Sequence, residues 1–117
     1  MIPYDNLYCK LYIDTGFNKG ELLNIIKEHT GGVQPGREFI STEWAEIGLD
    51  ENNEYDPALT DDKNDGSLYY RFLVDIEPEN NVDSQTYIVG IKKLITHLTG
   101  LGFKVTAACD FEDELRN

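Results

Sequence analysis

Short segments in which apolar and polar residues alternate constrain the fold of this chain most strongly. Apolar side chains occupy every second position in residues 7–14, 67–77 and 103–111. This period of two predicts β-strands with one buried and one solvated face. Residues 39–49 alternate imperfectly and predict a strand with a bulge near Trp44. In residues 67–77 the predicted buried face consists of Leu68, Tyr70, Phe72, Val74 and Ile76.

Two helices are predicted between these strands. Asn18 has the character of an N-cap, and Glu21 three residues later completes a capping box. The first helix is predicted to end at Gly31, because glycine adopts the left-handed C-terminal conformation without strain. The second helix is predicted to begin after Asp83 or Ser84 and has apolar residues at spacings of three and four.

The order strand, helix, strand, strand, helix, strand predicts an α+β, ferredoxin-like βαββαβ domain. Such a domain has a four-stranded antiparallel sheet with both helices on one face. The whole chain, residues 1–117, is predicted to form this single domain. Residues 33–38 and an acidic segment of about 50–66 are predicted loops, and residues 112–117 are a predicted loose acidic tail. This topology also brings Cys9 close to Cys109.

The net charge excludes several classes of partner. The chain carries 22 acidic and 10 basic residues, giving a formal charge of −12. A nucleic-acid binder needs a positive surface to displace counterions from phosphates, and an anionic membrane surface also attracts basic residues. Aromatic residues on a sheet face can stack RNA bases, but the charge has the wrong sign here. We therefore expect neither nucleic acid nor membrane as a partner.

The two cysteines and the N-terminal sequence predict a cytoplasmic location. Two cysteines do not make a disulfide framework, so free thiols in a reducing compartment are expected. The first residues lack a basic segment followed by an apolar core, so no secretory signal is predicted. No apolar run approaches the roughly 20 residues that a membrane span requires.

Acidic residues are concentrated in one third of the chain. Residues 46–83 contain twelve acidic residues and only two basic ones. Such a segment can be a solvated loop, a calcium site or a surface for a basic partner. A calcium loop that begins at Asp50 needs glycine at its sixth position and glutamate at its twelfth. Those positions hold Tyr55 and Asp61, so no metal site is predicted.

A basic partner fits the charge better, because a patch of one sign steers a partner of the opposite sign. Aromatic residues in or beside the acidic segment are candidate anchors, since tyrosine and tryptophan are enriched at binding hot spots. The alternative for the tyrosines is cross-strand pairing on a solvated face. The residues predicted to contact the partner are Trp44, Glu46, Asp50, Glu51, Glu54, Tyr55, Asp56, Tyr69, Asp75 and Glu77.

No pattern for catalysis is present. The chain has neither a glycine-rich phosphate loop nor a nucleophile elbow. His29 and His97 are expected to be surface residues or charges at helix C-termini rather than catalytic bases. Asp75 and Glu77 could do acid–base chemistry only in a cleft, which the sequence does not predict. Neither an enzyme nor a cofactor is expected.

Two short segments resemble a known type of protein. The run AACDFEDEL at residues 107–115, together with Glu54, Tyr55 and Asp56, is similar to small acidic immunity proteins of bacterial polymorphic-toxin systems. The resemblance implies a cytoplasmic, non-catalytic protein that neutralises a basic toxin domain by binding it. The alternative is a small regulatory or ligand-sensing domain of ferredoxin-like topology, dimeric through its sheet face.

Overall fold

The computed structural model describes residues 6–61 and 66–115, which contain two α-helices and a six-stranded antiparallel sheet. The strands are arranged in the order β2-β3-β4-β5-β1-β6. The chain is therefore an α+β protein, as predicted. In chain order the elements are β1 (Cys9–Asp14), α1 (Lys19–Thr30), β2 (Val33–Gly36), β3 (Phe39–Ser41), β4 (Ala45–Glu51), β5 (Phe72–Pro78), α2 (Ser84–Gly100) and β6 (Lys104–Ala108).

The predicted helix boundaries are confirmed by their caps. The Asn18 side chain accepts a hydrogen bond from the Glu21 backbone, and the Glu21 carboxylate accepts one from the Asn18 backbone. Gly31 adopts φ 70°, the left-handed conformation that terminates α1. Of the two candidate caps for α2, Asp83 is the residue that accepts a hydrogen bond from the Thr86 backbone.

One hydrophobic core lies between the sheet and the two helices. The inward side chains of β1, β4 and β5 and those of both helices form a single cluster, and α1 also contacts α2. Both helices therefore lie on the same face of the sheet. The fully buried side chains of greatest volume are Tyr87, Phe72, Phe111, Leu11, Ile13, Leu22, Ile26, Ile40, Ile47, Leu49, Ile76 and Ile91.

The sheet has six strands rather than the predicted four because residues 33–49 form two hairpins. Residues 33–38 were predicted as a loop, but Val33–Gly36 pairs with β3. Every residue of β2 is exposed, so it has no alternation to reveal it. The predicted bulge near Trp44 is a turn, in which the Thr42 hydroxyl accepts hydrogen bonds from the backbone N–H groups of Trp44 and Ala45.

The strand predicted for residues 67–77 begins five residues later than expected, at Phe72. Residues Gly66–Tyr69 form a 3₁₀-helix instead, and the Leu68 side chain is exposed rather than buried. The cause is Asn52, whose side-chain amide donates hydrogen bonds to the backbone carbonyls of Leu68 and Tyr70. These bonds satisfy carbonyls that strand pairing would otherwise use.

The part of the acidic tail that the structure describes, Glu112–Leu115, is helical. Glu112–Leu115 is a 3₁₀-helix that contacts α2, and the Leu115 side chain is buried. Leu115, an apolar residue among the acids of this predicted tail, reaches the core. Residues 116 and 117, and residues 62–65 of the predicted acidic loop, lie outside the described part of the chain.

The predicted proximity of the two cysteines is confirmed. Cys9 begins β1, and Cys109 directly follows β6, the neighbouring antiparallel strand. Their thiols are close enough for each to shift the pKa of the other. Neither is in a disulfide.

Candidate functional site

The face of the sheet that points away from the helices carries part of the predicted site, and we call it the open face. Its residues alternate with core residues, so that Asp75 lies between the fully buried Val74 and Ile76. Four predicted contact residues, Glu46, Asp50, Asp75 and Glu77, therefore share one surface. The open face comprises Lys10, Tyr12, Phe39, Glu46, Gly48, Asp50, Leu73, Asp75 and Glu77.

Two carboxylates of the open face stand directly opposite each other. Glu46 of β4 is the register partner of Glu77 of β5. Like charges in this position destabilise a sheet because their side chains are close neighbours. One carboxylate oxygen of Glu46, Oε2, is also buried without a hydrogen-bond partner. The pair is therefore an uncompensated concentration of negative charge.

A third carboxylate, Asp75, extends this charge towards β1. The Tyr8 hydroxyl donates a hydrogen bond to Asp75 Oδ1. Burial, followed by this hydrogen bond, raises the pKa of Tyr8 far above its usual value, so the phenol stays protonated as a donor. Lys10 is the register partner of Asp75, yet no ion pair joins them.

The ion pairs within residues 6–61 and 66–115 leave three carboxylates of the open face without a cation. Lys19 pairs with Glu38, and its Nζ also lies 3.7 Å from Asp50 Oδ1. Lys104 Nζ lies 2.8 Å from Asp61 Oδ1. The negative charge of Asp50 is therefore partly compensated by Lys19. The carboxylates without an ion pair in this part of the chain are those of Glu46, Asp75 and Glu77.

An aromatic side chain lies among these carboxylates, and sequence reasoning missed it. Phe39 pairs with Gly48, and Gly48 in turn pairs with Asp75. The Phe39 ring is 36% exposed, and its Cδ1 would lie 3.9 Å from a Cβ at Gly48. The missing side chain at Gly48 leaves this surface to the ring. The sequence did not reveal this position of Phe39, because residues 39–49 were predicted as one strand and not as the two paired strands β3 and β4.

The other acidic contact residues lie in a loop that continues from the end of β4. Asn52 organises it: its side chain holds the backbone of Gly66–Tyr69, and its Oδ1 accepts a hydrogen bond from the Glu54 backbone. The backbone N–H of Asp56 donates to the Tyr69 carbonyl. Glu51, Glu54 and Tyr55 are exposed, whereas Asp56 and Tyr69 are half-buried.

The structure places Trp44 away from the open face. Its ring packs against Gly90 of α2 and makes an edge-on contact with Tyr87, with centroids 6.2 Å apart. Trp44 is only partly buried, but it lies on the helix side of the sheet. Trp44 therefore does not share the open face with the predicted acidic contact residues, and its contact with a partner stays a prediction.

The two histidines, which sequence reasoning treated separately, are brought together on the helix surface. The rings of His29 and His97 stack with centroids 4.4 Å apart and an interplanar angle of 13°. Burial, and then the neighbouring His97 and Lys93, lowers the pKa of His29. Among the hydrogen bonds and ion pairs of the described residues, none joins either histidine ring to a carboxylate.

Comparisons with protein-family models, with curated proteins and with solved structures find no match to this chain. Over residues 6–61 and 66–115, no group of three or more histidine, cysteine, aspartate or glutamate side chains could hold a metal ion. In the same part of the chain, neither helix has the length and apolar character needed to cross a bilayer.

Proposed function

We propose that this protein is a non-catalytic binding protein whose open face and adjoining acidic loop bind and neutralise a basic protein, such as a toxin domain. The observation that carries the proposal is the opposition of Glu46 and Glu77 across β4 and β5. An arrangement that costs stability in the free protein is explained if a cation of a partner relieves it.

The surroundings of this pair suit a protein partner. Asp75 adds a third carboxylate without an ion pair, and Phe39 supplies an exposed ring beside it. Binding energy in interfaces is concentrated in aromatic and arginine anchors surrounded by polar residues. An arginine or lysine of the partner could bind between Glu46 and Glu77 while an apolar side chain of the partner packs against the Phe39 ring.

The net charge of −12 favours the same reading, because a strongly acidic protein attracts a basic partner over long distances at low salt. The proposal includes a cytoplasmic location, where free thiols such as those of Cys9 and Cys109 persist. It includes no enzymatic step, nucleic acid or membrane. It coincides with the resemblance of residues 107–115 and 54–56 to bacterial immunity proteins.

For the fold we propose a ferredoxin-like core that is extended by a hairpin. The strands β4, β5, β1 and β6 follow one another in the sheet, with α1 and α2 on one face. The β2–β3 hairpin continues the sheet beyond β4. A regulatory domain that dimerises through its sheet face is less favoured, because the open faces of two copies would bring their uncompensated carboxylates together.

The test begins with affinity capture from the source cell on the immobilised protein, with elution by a salt gradient. The dissociation constant of the captured basic protein is then measured for the wild type, Glu46→Gln/Glu77→Gln and Phe39→Ala. Glu28→Gln/Glu43→Gln is the matched control, because it removes two charges from exposed residues outside the open face.

We expect the Glu46→Gln/Glu77→Gln protein to bind at least about tenfold more weakly and with a shallower salt dependence, and the control to bind like the wild type. Phe39→Ala should weaken binding without changing the salt dependence. Equal affinity of the wild type and the Glu46→Gln/Glu77→Gln protein at every salt concentration would exclude the open face as the binding surface.

A further inference from the structure

Cys9 begins β1, and Cys109 directly follows β6, the neighbouring antiparallel strand. The register of β1 and β6 pairs Lys10 with Ala108, and continuing it by one residue sets Cys9 against Cys109. Residues in this relationship have α carbons about 4.5–5.5 Å apart. Disulfides join residues whose α carbons are about 4.4–6.8 Å apart. The backbone is therefore already suited to a covalent link.

The two side chains lie on the same side of the sheet and pack against the same core. Cys9 belongs to the buried core, and Cys109 is partly buried and packs against that core. The two thiols are close enough for each to shift the pKa of the other. Their approach to one another therefore needs no rearrangement of the strands, and solvent can reach the pair only from the side of Cys109.

We propose that Cys9 and Cys109 form an oxidisable dithiol site, at which a peroxide converts the two thiols into an intramolecular disulfide. This inference does not depend on the proposed binding function. Its substrate class is a small hydroperoxide, since only a small oxidant can reach a half-buried sulfur.

The reaction balances with hydrogen peroxide as oxidant. The sulfur of Cys109, as thiolate, attacks one peroxide oxygen, the O–O bond breaks, and the other oxygen leaves as water after taking up the proton that the thiol lost. The sulfur of Cys9 then attacks the resulting sulfenic acid, the S–S bond forms, and a second water leaves. In total, two thiols lose two electrons and two protons, and one peroxide becomes two waters.

Burial controls the rate of this reaction. Burial raises the pKa of both thiols. The interaction with Cys109 raises the pKa of Cys9 further. Because the thiolate is the nucleophile, a raised pKa makes oxidation slow at neutral pH and faster as the pH rises. The site therefore responds to sustained oxidant rather than to a brief exposure.

The disulfide would fasten an edge of the sheet. The strand β6 is at one end of the strand order, with β1 as its only neighbour in the described sheet. The 3₁₀-helix Glu112–Leu115 follows Cys109 closely, and the Glu112 backbone donates to the Cys109 carbonyl. A link to β1 would thus hold both β6 and this terminal segment, and it would close a loop that spans most of the chain.

The experiment treats the whole reduced protein with hydrogen peroxide and follows intact mass, free thiols and melting temperature. We expect a loss of two mass units, the loss of both thiols, a peptide that links the two cysteines, and reversal by dithiothreitol. The oxidised protein should melt about 10 °C or more above the reduced one, since long cross-linked loops stabilise most. The oxidation rate should rise between pH 7 and pH 9.

The variant Cys9→Ala isolates Cys109, and Cys109→Ser isolates Cys9. We expect Cys9→Ala to gain oxygen or to form intermolecular dimers, and Cys109→Ser to resist peroxide. Three wild-type results would overturn the proposal: two intact thiols after prolonged oxidation, irreversible oxygen addition at Cys109 beside an intact Cys9, or a disulfide that lowers the melting temperature. All three are read on the wild type, so they remain decisive if a variant fails to fold.

Discussion

The indole ring of Trp44 lies directly over Gly90 of α2. A Cβ added at Gly90 would stand 2.7 Å from Trp44 Cδ2, closer than real Cβ contacts. The glycine in the middle of the helix therefore makes room for the ring, which closes the core beside the β3–β4 turn. The close approach explains why a residue that weakens helices is found at this position.

We expect Gly90→Ala to lower the free energy of unfolding by about 1 kcal/mol. Overpacking costs roughly 1–3 kcal/mol, while replacing glycine by alanine in a helix recovers about 1 kcal/mol. Urea denaturation provides the measurement. The control is Gly100→Ala at the end of α2, where an added Cβ meets nothing within 4 Å. If both variants were stabilised equally, the Trp44 contact would not limit position 90.

The opposed carboxylates of Glu46 and Glu77 should cost stability in the free protein. We expect Glu77→Gln to raise the free energy of unfolding by about 0.2–1 kcal/mol, the range for cross-strand pairs. In a Glu46→Gln background the same change should have little effect. A double-mutant cycle by thermal or urea denaturation measures the coupling. A coupling of zero would mean that the two carboxylates do not repel.

The side chain of Asn52 should be important for the loop that carries Glu54 and Tyr55. We expect Asn52→Ala to lower the free energy of unfolding by about 2–3 kcal/mol, because the carbonyls of Leu68 and Tyr70 lose their donor. Asn53→Ala is the control, since Asn53 is exposed, and it should change stability by less than about 0.5 kcal/mol. Similar effects of the two variants in urea denaturation would refute this role for Asn52.

Reversing the charges of Glu51, Glu54 and Asp56 together tests this acidic segment apart from the open face, to which Asp50 belongs. If the loop contributes to capture of a basic partner, this variant should associate more slowly, and its association rate should depend less on salt. Stopped-flow or surface-based kinetics with the captured partner would measure this. An unchanged association rate would confine the binding surface to the sheet.

The stacked histidines predict a specific pH dependence. Because the pKa of His29 is lowered in the folded protein, the unfolded chain binds more protons as the pH falls below about 6.5, the usual histidine value. The contribution of His29 to the free energy of unfolding is therefore complete above that pH. It is lost as the pH falls towards the lowered pKa that His29 has in the folded protein.

Urea denaturation at pH 7.5 and pH 5.5 should show this loss for the wild type and a smaller one for His29→Gln. If the wild type and His29→Gln lost equal stability, the stacked pair would not be the source.

The sequence alone was sufficient for elements whose signal is local. Asn18, Glu21 and Gly31 identify the ends of α1 because a cap is a contact between near neighbours in the chain. The central strands were visible because one of their faces is buried. From the resulting order of elements, even the meeting of Cys9 and Cys109 could be predicted.

Long-range contacts decided the rest. The strand β2 has no buried face that would mark it in the sequence. Asn52 keeps residues 66–69 out of the sheet through hydrogen bonds to backbone carbonyls 16 and 18 positions away. Leu115 is buried in the core although acidic residues precede it in the sequence. The acidic residues were predicted as one site, whereas the tertiary structure separates them into the open face and the loop. It also places Trp44 against α2 and Phe39 beside the carboxylates of the open face. Composition determines how much charge the chain carries, whereas strand register decides which charges stand opposite one another.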